Sequence, residues 1–176
     1  MNLTEPSEDA YAIIARYLSK SSAHGDRLAA MDEVQRILGF DVGDRRIGIA
    51  ISDGLGLTAQ PLLTIHRTKD RTDFKAIARI LRKHSITEVV VGNPIYMSGD
   101  KSPQAAKTQV FVEELQRQFP LTIHMRDERL TTTEAHRQLD DAGRATLGRK
   151  AIIDQVAAVL ILQSFLDERA HQASRS

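Results

Sequence analysis

The sequence predicts an α/β fold, a mixed five-stranded sheet with helices on both faces. Three observations carry this. The chain reads as three strands, then helix, strand, helix, strand, helix, helix. A leading antiparallel meander followed by βαβ units gives a mixed sheet covered on both sides. The first two strands are apolar on both faces, with small residues on one. That pattern suits a covered sheet that lets a helix approach closely.

The first pair of strands lies in "ILGFDVGDRRIGIAISD" at 37–53. Ile37–Val42 and Ile47–Ser52 are joined by a turn centred on Gly43-Asp44. Alternation puts Leu38, Phe40 and Val42 on one face and Ile37, Gly39 and Asp41 on the other. In the second run Ile47, Ile49 and Ile51 share a face, and Gly48, Ala50 and Ser52 the opposite one. "LTAQPLLTIHR" (57–67) is the third strand, where Pro61 argues for an edge or a bulge. Residues 70–84 form an amphipathic helix with Phe74, Ile77, Ala78 and Leu81 on one stripe.

"TEVVVG" (87–92) is a short buried strand, and "GNPIYMSGDKSP" (92–103) a loop rich in turn formers. Ser102-Pro103 opens a helix as N-cap and first helical residue. That helix runs to about Phe119 with Phe111, Val112, Leu115 and Phe119 inward. "LTIHMR" (121–126) is the last strand. Thr131 and Glu134 form a capping box for a helix across 132–141, and residues 149–170 form the final helix. This is the element order of the ribonuclease-H-like fold.

A chain of 176 residues fits one domain with a real core. Residues 1–36 stand apart as an appendage with a short helix over 7–20, residues 37–170 form the main domain, and 171–176 a tail. The first 36 residues carry four Lys/Arg against six Asp/Glu, net −2, and the remainder is mildly basic at +3. Nucleic-acid binding then has to come from a local patch, not from bulk charge. There is no cysteine, which excludes a disulfide framework and a thiolate metal site. The acidic N-terminus lacks the pattern of a signal peptide. The longest aliphatic run, "VAAVLIL" at 156–162, is too short to span a bilayer. A soluble cytoplasmic protein with no membrane partner is expected.

Asp41 poses the chemical question, because an ionised carboxylate in a covered strand is costly unless paired or bound to a cation. Asp127 and Glu128 follow the strand 121–126, at the carboxyl end where ligands collect in mostly parallel sheets. Asp154 interrupts a helix that is apolar nearly all round from Ala151 to Leu162. Three acids from distant segments suit Mg²⁺, which takes a few carboxylates plus water and phosphate oxygens. Two such ions activate a water and stabilise the leaving oxygen of a phosphodiester. Taken singly, each acid has a structural reading. Asp41 pairs with Arg45 or Arg46 across the turn, Asp154 favours its helix N-terminus, and "DER" is a solvated turn. All three together in this element order favour a metal site.

Basic residues lie beside these acids. Gly43, Arg45, Arg46, Arg129, Arg149 and Lys150 are candidates for nucleic-acid contact through phosphates. Ion pairing with the same acids is the competing reading. It weighs equally for Arg45 and Arg46, whereas Arg149 and Lys150 precede a helix start, which favours phosphate. Tyr96 in the loop 95–102 could stack on a base, although a tyrosine packed on its own loop is commoner. The six histidines show no metal-ligand spacing.

Four stretches, "GFDVGDRRIGIAISD", "VVVGNPIYMSGD", "DERLTTTEA" and "GRKAIIDQVAAVLILQSFLD", closely resemble the YqgF (RuvX) family of Holliday-junction-resolvase-like nucleases of bacteria. The resemblance covers roughly residues 37–168. It implies a ribonuclease-H-like fold, a divalent-metal phosphodiesterase using Mg²⁺ or Mn²⁺, and a role in maturing the 5′ end of precursor 16S rRNA. The implied partner is precursor rRNA or a ribosomal precursor particle, and alternatively branched DNA. The acids carried over are Asp41, one of Asp127 and Glu128, and Asp154. Glu128 is favoured as the metal-facing member, because a longer side chain just past a strand end reaches back more easily. One departure is Asn93, where the family usually carries an apolar residue, most often Leu.

Other functional classes fit less well. "DVGDRR" also resembles the first phosphate motif of actin-like and sugar-kinase-like ATPases, but that fold needs two such domains and a second phosphate loop. A nucleic-acid-binding module without catalysis would have no use for an intact acid set. The sequence leaves the oligomeric state open, though junction cleavage would call for a symmetric dimer.

Overall fold

The computed structural model describes residues 3–4, 36–68, 72–93, 103–127 and 147–175. Its strands are β1 (Leu3–Thr4), β2 (Ile37–Val42), β3 (Arg46–Ser52), β4 (Ala59–His66), β5 (Glu88–Asn93) and β6 (Thr122–Asp127). Its helices are α1 (Thr72–Lys83), α2 (Pro103–Gln118) and α3 (Leu147–Ser174). The sheet runs β1-β4-β3-β2-β5-β6. β2, β3 and β4 pair antiparallel, whereas β2, β5 and β6 run parallel. A meander that leads into parallel strands is the ribonuclease-H-like arrangement expected from the element order.

All five predicted strands form, and the sheet gains a sixth. β1 pairs antiparallel with β4 through Leu3↔Ile65 and Thr4↔Thr64. The sequence places residues 1–30 outside the sheet order, because a two-residue strand is too short to show alternation. The helices predicted over 7–20 and 132–141 lie outside the described residues, as does the loop 95–102 with Tyr96.

Pro61 sits at a bulge. Ile49 pairs with Leu63 but Ala50 pairs with Pro61, so Leu62 is an extra residue on β4. Proline lacks the N–H that a regular ladder would use there. At its far end α3 continues four residues past the expected boundary. His171 Nδ1 lies 2.6 Å from the Asp167 carbonyl oxygen, and the Ser174 hydroxyl donates to the Ala170 carbonyl at 2.8 Å.

The alternation of β2 separates two apolar clusters. On one face Leu38, Phe40 and Val42 join Ile47 and Ile49, and they meet Phe74 and Ile77 of α1 and Phe111 and Leu115 of α2. The Phe40 and Phe111 rings meet edge to face, 6.0 Å between centroids. On the other face Ile37, Ala50, Ala59 and Val90 meet Val159, Leu162 and Leu166 of α3. Helices therefore cover both faces. A Cβ placed on Gly39 would lie 2.7 Å from the Leu162 Cβ, so only glycine allows α3 this close to β2. The parallel strands bring their carboxyl ends, Val42, Asn93 and Asp127, to one edge of the sheet. Among the described residues no helix is long and apolar enough to cross a membrane.

Candidate active site

Asp41 is the penultimate residue of β2 and lies directly opposite Gly48 of β3. Cross-strand partners point to the same face of a sheet, here the face that α3 covers. α3 crosses β3 at this point. A Cβ built on Gly48 would stand 2.0 Å from the Asp154 carbonyl oxygen and 3.1 Å from the Asp154 Cβ. Gly48 is thus the floor on which Asp154 rests, and Asp41 is its neighbour on the same floor. The two acids come from residues 113 apart in sequence, and the glycine between them is what permits the approach.

Arg46 opens β3 and forms an ion pair through its Nε with Asp154 Oδ2. Both side chains are about one-fifth exposed, at 22% and 19%. Arg46 therefore partners a candidate acid, but the acid is Asp154 on α3 and not Asp41 across the turn. Asp41 is half-buried. Arg46 offsets part of the negative charge that two carboxylates on one face of the sheet concentrate.

The turn that carries these residues is firmly held. The Gly43 amide donates to the Arg46 carbonyl at 2.9 Å. A Cβ on Gly43 would meet that same oxygen at 3.0 Å. From α2, Gln104 Nε2 donates to the Val42 carbonyl at 2.5 Å and Lys107 pairs with Asp44 at 2.6 Å. From the end of β4, the Arg67 amide donates to the Arg45 carbonyl at 2.9 Å and its Nη1 to the Gly43 carbonyl at 3.1 Å. Arg67 also lies over the Phe111 ring, 5.9 Å from the centroid, and 3.6 Å from the carboxylate of buried Asp73 on α1. Sequence reasoning missed Arg67 and Gln104. Neither has a periodic or spacing signal, because each acts through backbone carbonyls that the sequence does not display.

The remaining predicted residues fall as follows. Arg45 is exposed on the turn, beside Asp44. Asp127 ends β6, where its backbone pairs with Asn93. Arg149 and Lys150 lie in the first turn of α3, one to two turns before Asp154. Glu128 and Arg129 lie outside the described residues. Among the described residues no three His, Cys, Asp or Glu side chains gather as a ligand set for a metal ion. The described part of the candidate cluster is the Asp41–Asp154 pair alone.

The family model RuvX, described as Holliday junction resolvase, matches residues 35–168. A protein of Halalkalibacterium halodurans named "Putative pre-16S rRNA nuclease" is 46% identical over 136 residues, 76% of this chain and 97% of that protein. One of the same name from Thermoanaerobacter pseudethanolicus is 45% identical over 138 residues, 78% of this chain and 99% of that protein. Among solved structures, a Fowlpox virus resolvase in complex with substrate Holliday junction DNA aligns with a TM-score of 0.48 at 14% identity. That alignment covers 76% of this chain and 98% of the viral one.

Proposed function

The chain belongs to the RuvX family, and from that premise we propose that it is a divalent-metal-dependent nuclease that hydrolyses phosphodiester bonds in precursor 16S rRNA. One observation carries the proposal: Asp41 and Asp154 are brought to one face of the sheet, across Gly48, at the carboxyl end of β2. Two carboxylates from distant segments on one face of the sheet suit a divalent cation, which takes a few carboxylates plus water and phosphate oxygens.

The donor set fits a hard divalent ion. It offers carboxylate oxygens and, the chain having no cysteine, no thiolate. Asp41 and Asp154 would hold the ion together with Glu128. Glu128 is taken over Asp127 because a longer side chain just past a strand end reaches back more easily. When bound, Mg²⁺ or Mn²⁺ would activate a water and neutralise charge on the leaving oxygen.

The chain's own residues supply the rest. Asp41 and Asp154 would supply carboxylate oxygens to the ion. The clamp of Arg67 and Gln104 keeps the turn, and hence both β2 and β3, in register. Arg45 on the turn, Arg129 after β6, and Arg149 and Lys150 at the start of α3 would grip phosphates on either side of the reacting one. Gly43 keeps the turn tight enough for a nucleic-acid backbone to approach. The nuclease unit is assigned to 37–170, and the protein to the cytoplasm, where precursor rRNA is found.

A second reading keeps the chemistry and changes the substrate to branched DNA. The description of the matching family model favours it. The test is cleavage of labelled precursor rRNA and a four-way DNA junction, side by side, in Mg²⁺, Mn²⁺ and EDTA. Metal-dependent cutting of the RNA with an intact junction supports the proposal. Cutting of the junction alone selects the second reading. No cutting of either in any metal rejects both.

A further inference from the structure

Arg46 has one partner in the site that deserves a chemical consequence. Its guanidinium is always charged, and it sits on the carboxylate assigned above to the metal. The backbone of Arg46 is fixed, since its carbonyl accepts from Gly43 and it pairs with His66 at the start of β3. The side chain is held by its ion pair with Asp154. It is long, about one-fifth exposed, and rooted at the open end of the strand. Neighbouring Arg45 carries the same charge on the same turn but is exposed and points to no carboxylate of the site in any described contact. The two arginines therefore separate a contact effect from a charge effect.

We infer that Arg46 is the resident counter-cation of Asp154 and that a divalent ion must displace it, so that Arg46 sets the metal concentration at which the site assembles. This rests on the metal-nuclease reading above and adds a regulating residue to it. A divalent ion on Asp154 meets a full positive charge at contact distance, and the two compete for one carboxylate. Competition of this kind weakens metal binding by the worth of the ion pair. In exchange, the Arg46 charge offsets part of the negative charge of Asp154 at low metal.

The experiment is Mn²⁺ titration calorimetry on the full chain without nucleic acid, for wild type, Arg46→Gln, Arg46→Lys and Arg45→Gln, with melting curves in EDTA. Arg46→Gln should bind Mn²⁺ on the order of three- to tenfold more tightly than wild type. Arg46→Lys, which keeps the charge but loses the planar fork, should fall between. Arg45→Gln should stay within about twofold of wild type, because an exposed charge is screened. In EDTA, Arg46→Gln should melt below wild type, and saturating Mn²⁺ should narrow that gap. Equal or weaker Mn²⁺ binding by Arg46→Gln overturns the inference, as does an equal gain in Arg45→Gln. Should wild type bind no Mn²⁺, the metal-nuclease reading fails first and this inference falls with it.

Discussion

At the scale of single residues, position relative to a strand or helix end decides what a charge does. Asp73 and Asp154 are both acids met by arginines, yet they differ in use. Asp73 is 4% exposed and accepts from the Phe74 amide at 3.1 Å, within the apolar layer under α1. Asp154 lies over Gly48 of β3, the residue paired with Asp41, and is about one-fifth exposed at 19%. His84 gives a third case. Burial, then the charges of Lys83 and Arg36, hold its imidazolium below the ordinary value. The folded protein thus prefers neutral His84. Its stabilising share is present above the ordinary imidazole value and is lost as pH falls through it, because the unfolded chain takes up the proton more readily. His84→Gln cannot take up that proton. On acidification from pH 7.5 to about 5.5, across the usual histidine range, wild type should lose more melting temperature than His84→Gln. Parallel curves for the two proteins would show that His84 is not held neutral.

At the scale of elements, a glycine sets how α3 meets the sheet and a serine sets how α1 ends. Gly48 supports α3 at the very residue that supplies Asp154. Gly48→Ala must push α3 away from β3, at a cost of about 1–3 kcal/mol in stability, and should impair Mn²⁺ binding as well. A chemical-denaturation midpoint together with a metal titration checks both. A Gly48→Ala protein that matches wild type in both would mean that α3 can shift freely. Ser85 is the reverse case. It closes α1 with a positive φ of 52°. The Ile86 amide donates to Leu81 at 2.9 Å and the Ser85 amide to Arg82 at 3.4 Å, which together make a Schellman cap. Glycine adopts that conformation without the Cβ penalty, so Ser85→Gly should raise stability by about 1 kcal/mol. A denaturation midpoint at or below that of wild type would contradict this.

These elements also show what the sequence could and could not display. Strand alternation in 37–52 identified which residues face which helix layer, and Gly39 and Gly48 were readable as approach sites because they share a parity with Ala50 and Asp41. Pro61 marked its bulge. The strand at Leu3–Thr4 was not legible, since two residues carry no period. Nor was the choice of acid for Arg46. Both Asp41 and Asp154 are possible partners in sequence, and only the docking of α3 on β3 decides between them.

At the scale of the whole molecule, the sheet divides labour between its faces. The face carrying Phe40 and Phe111 is filled with large apolar side chains and holds the turn in place through α1 and α2. The opposite face keeps small residues beneath α3, and this is what brings Asp154 to Asp41. The proposed function requires that this meeting of acids builds a metal site for phosphodiester hydrolysis. The most direct measurement is the rate of precursor rRNA cleavage in Mg²⁺ by wild type and Asp41→Asn, with melting curves to confirm that both are folded. The folded variant should cleave slower by about two orders of magnitude or more, about 3 kcal/mol of transition-state stabilisation, and wild type should not cleave in EDTA. Cleavage by folded Asp41→Asn at the wild-type rate, or by wild type in EDTA, would contradict the proposed function.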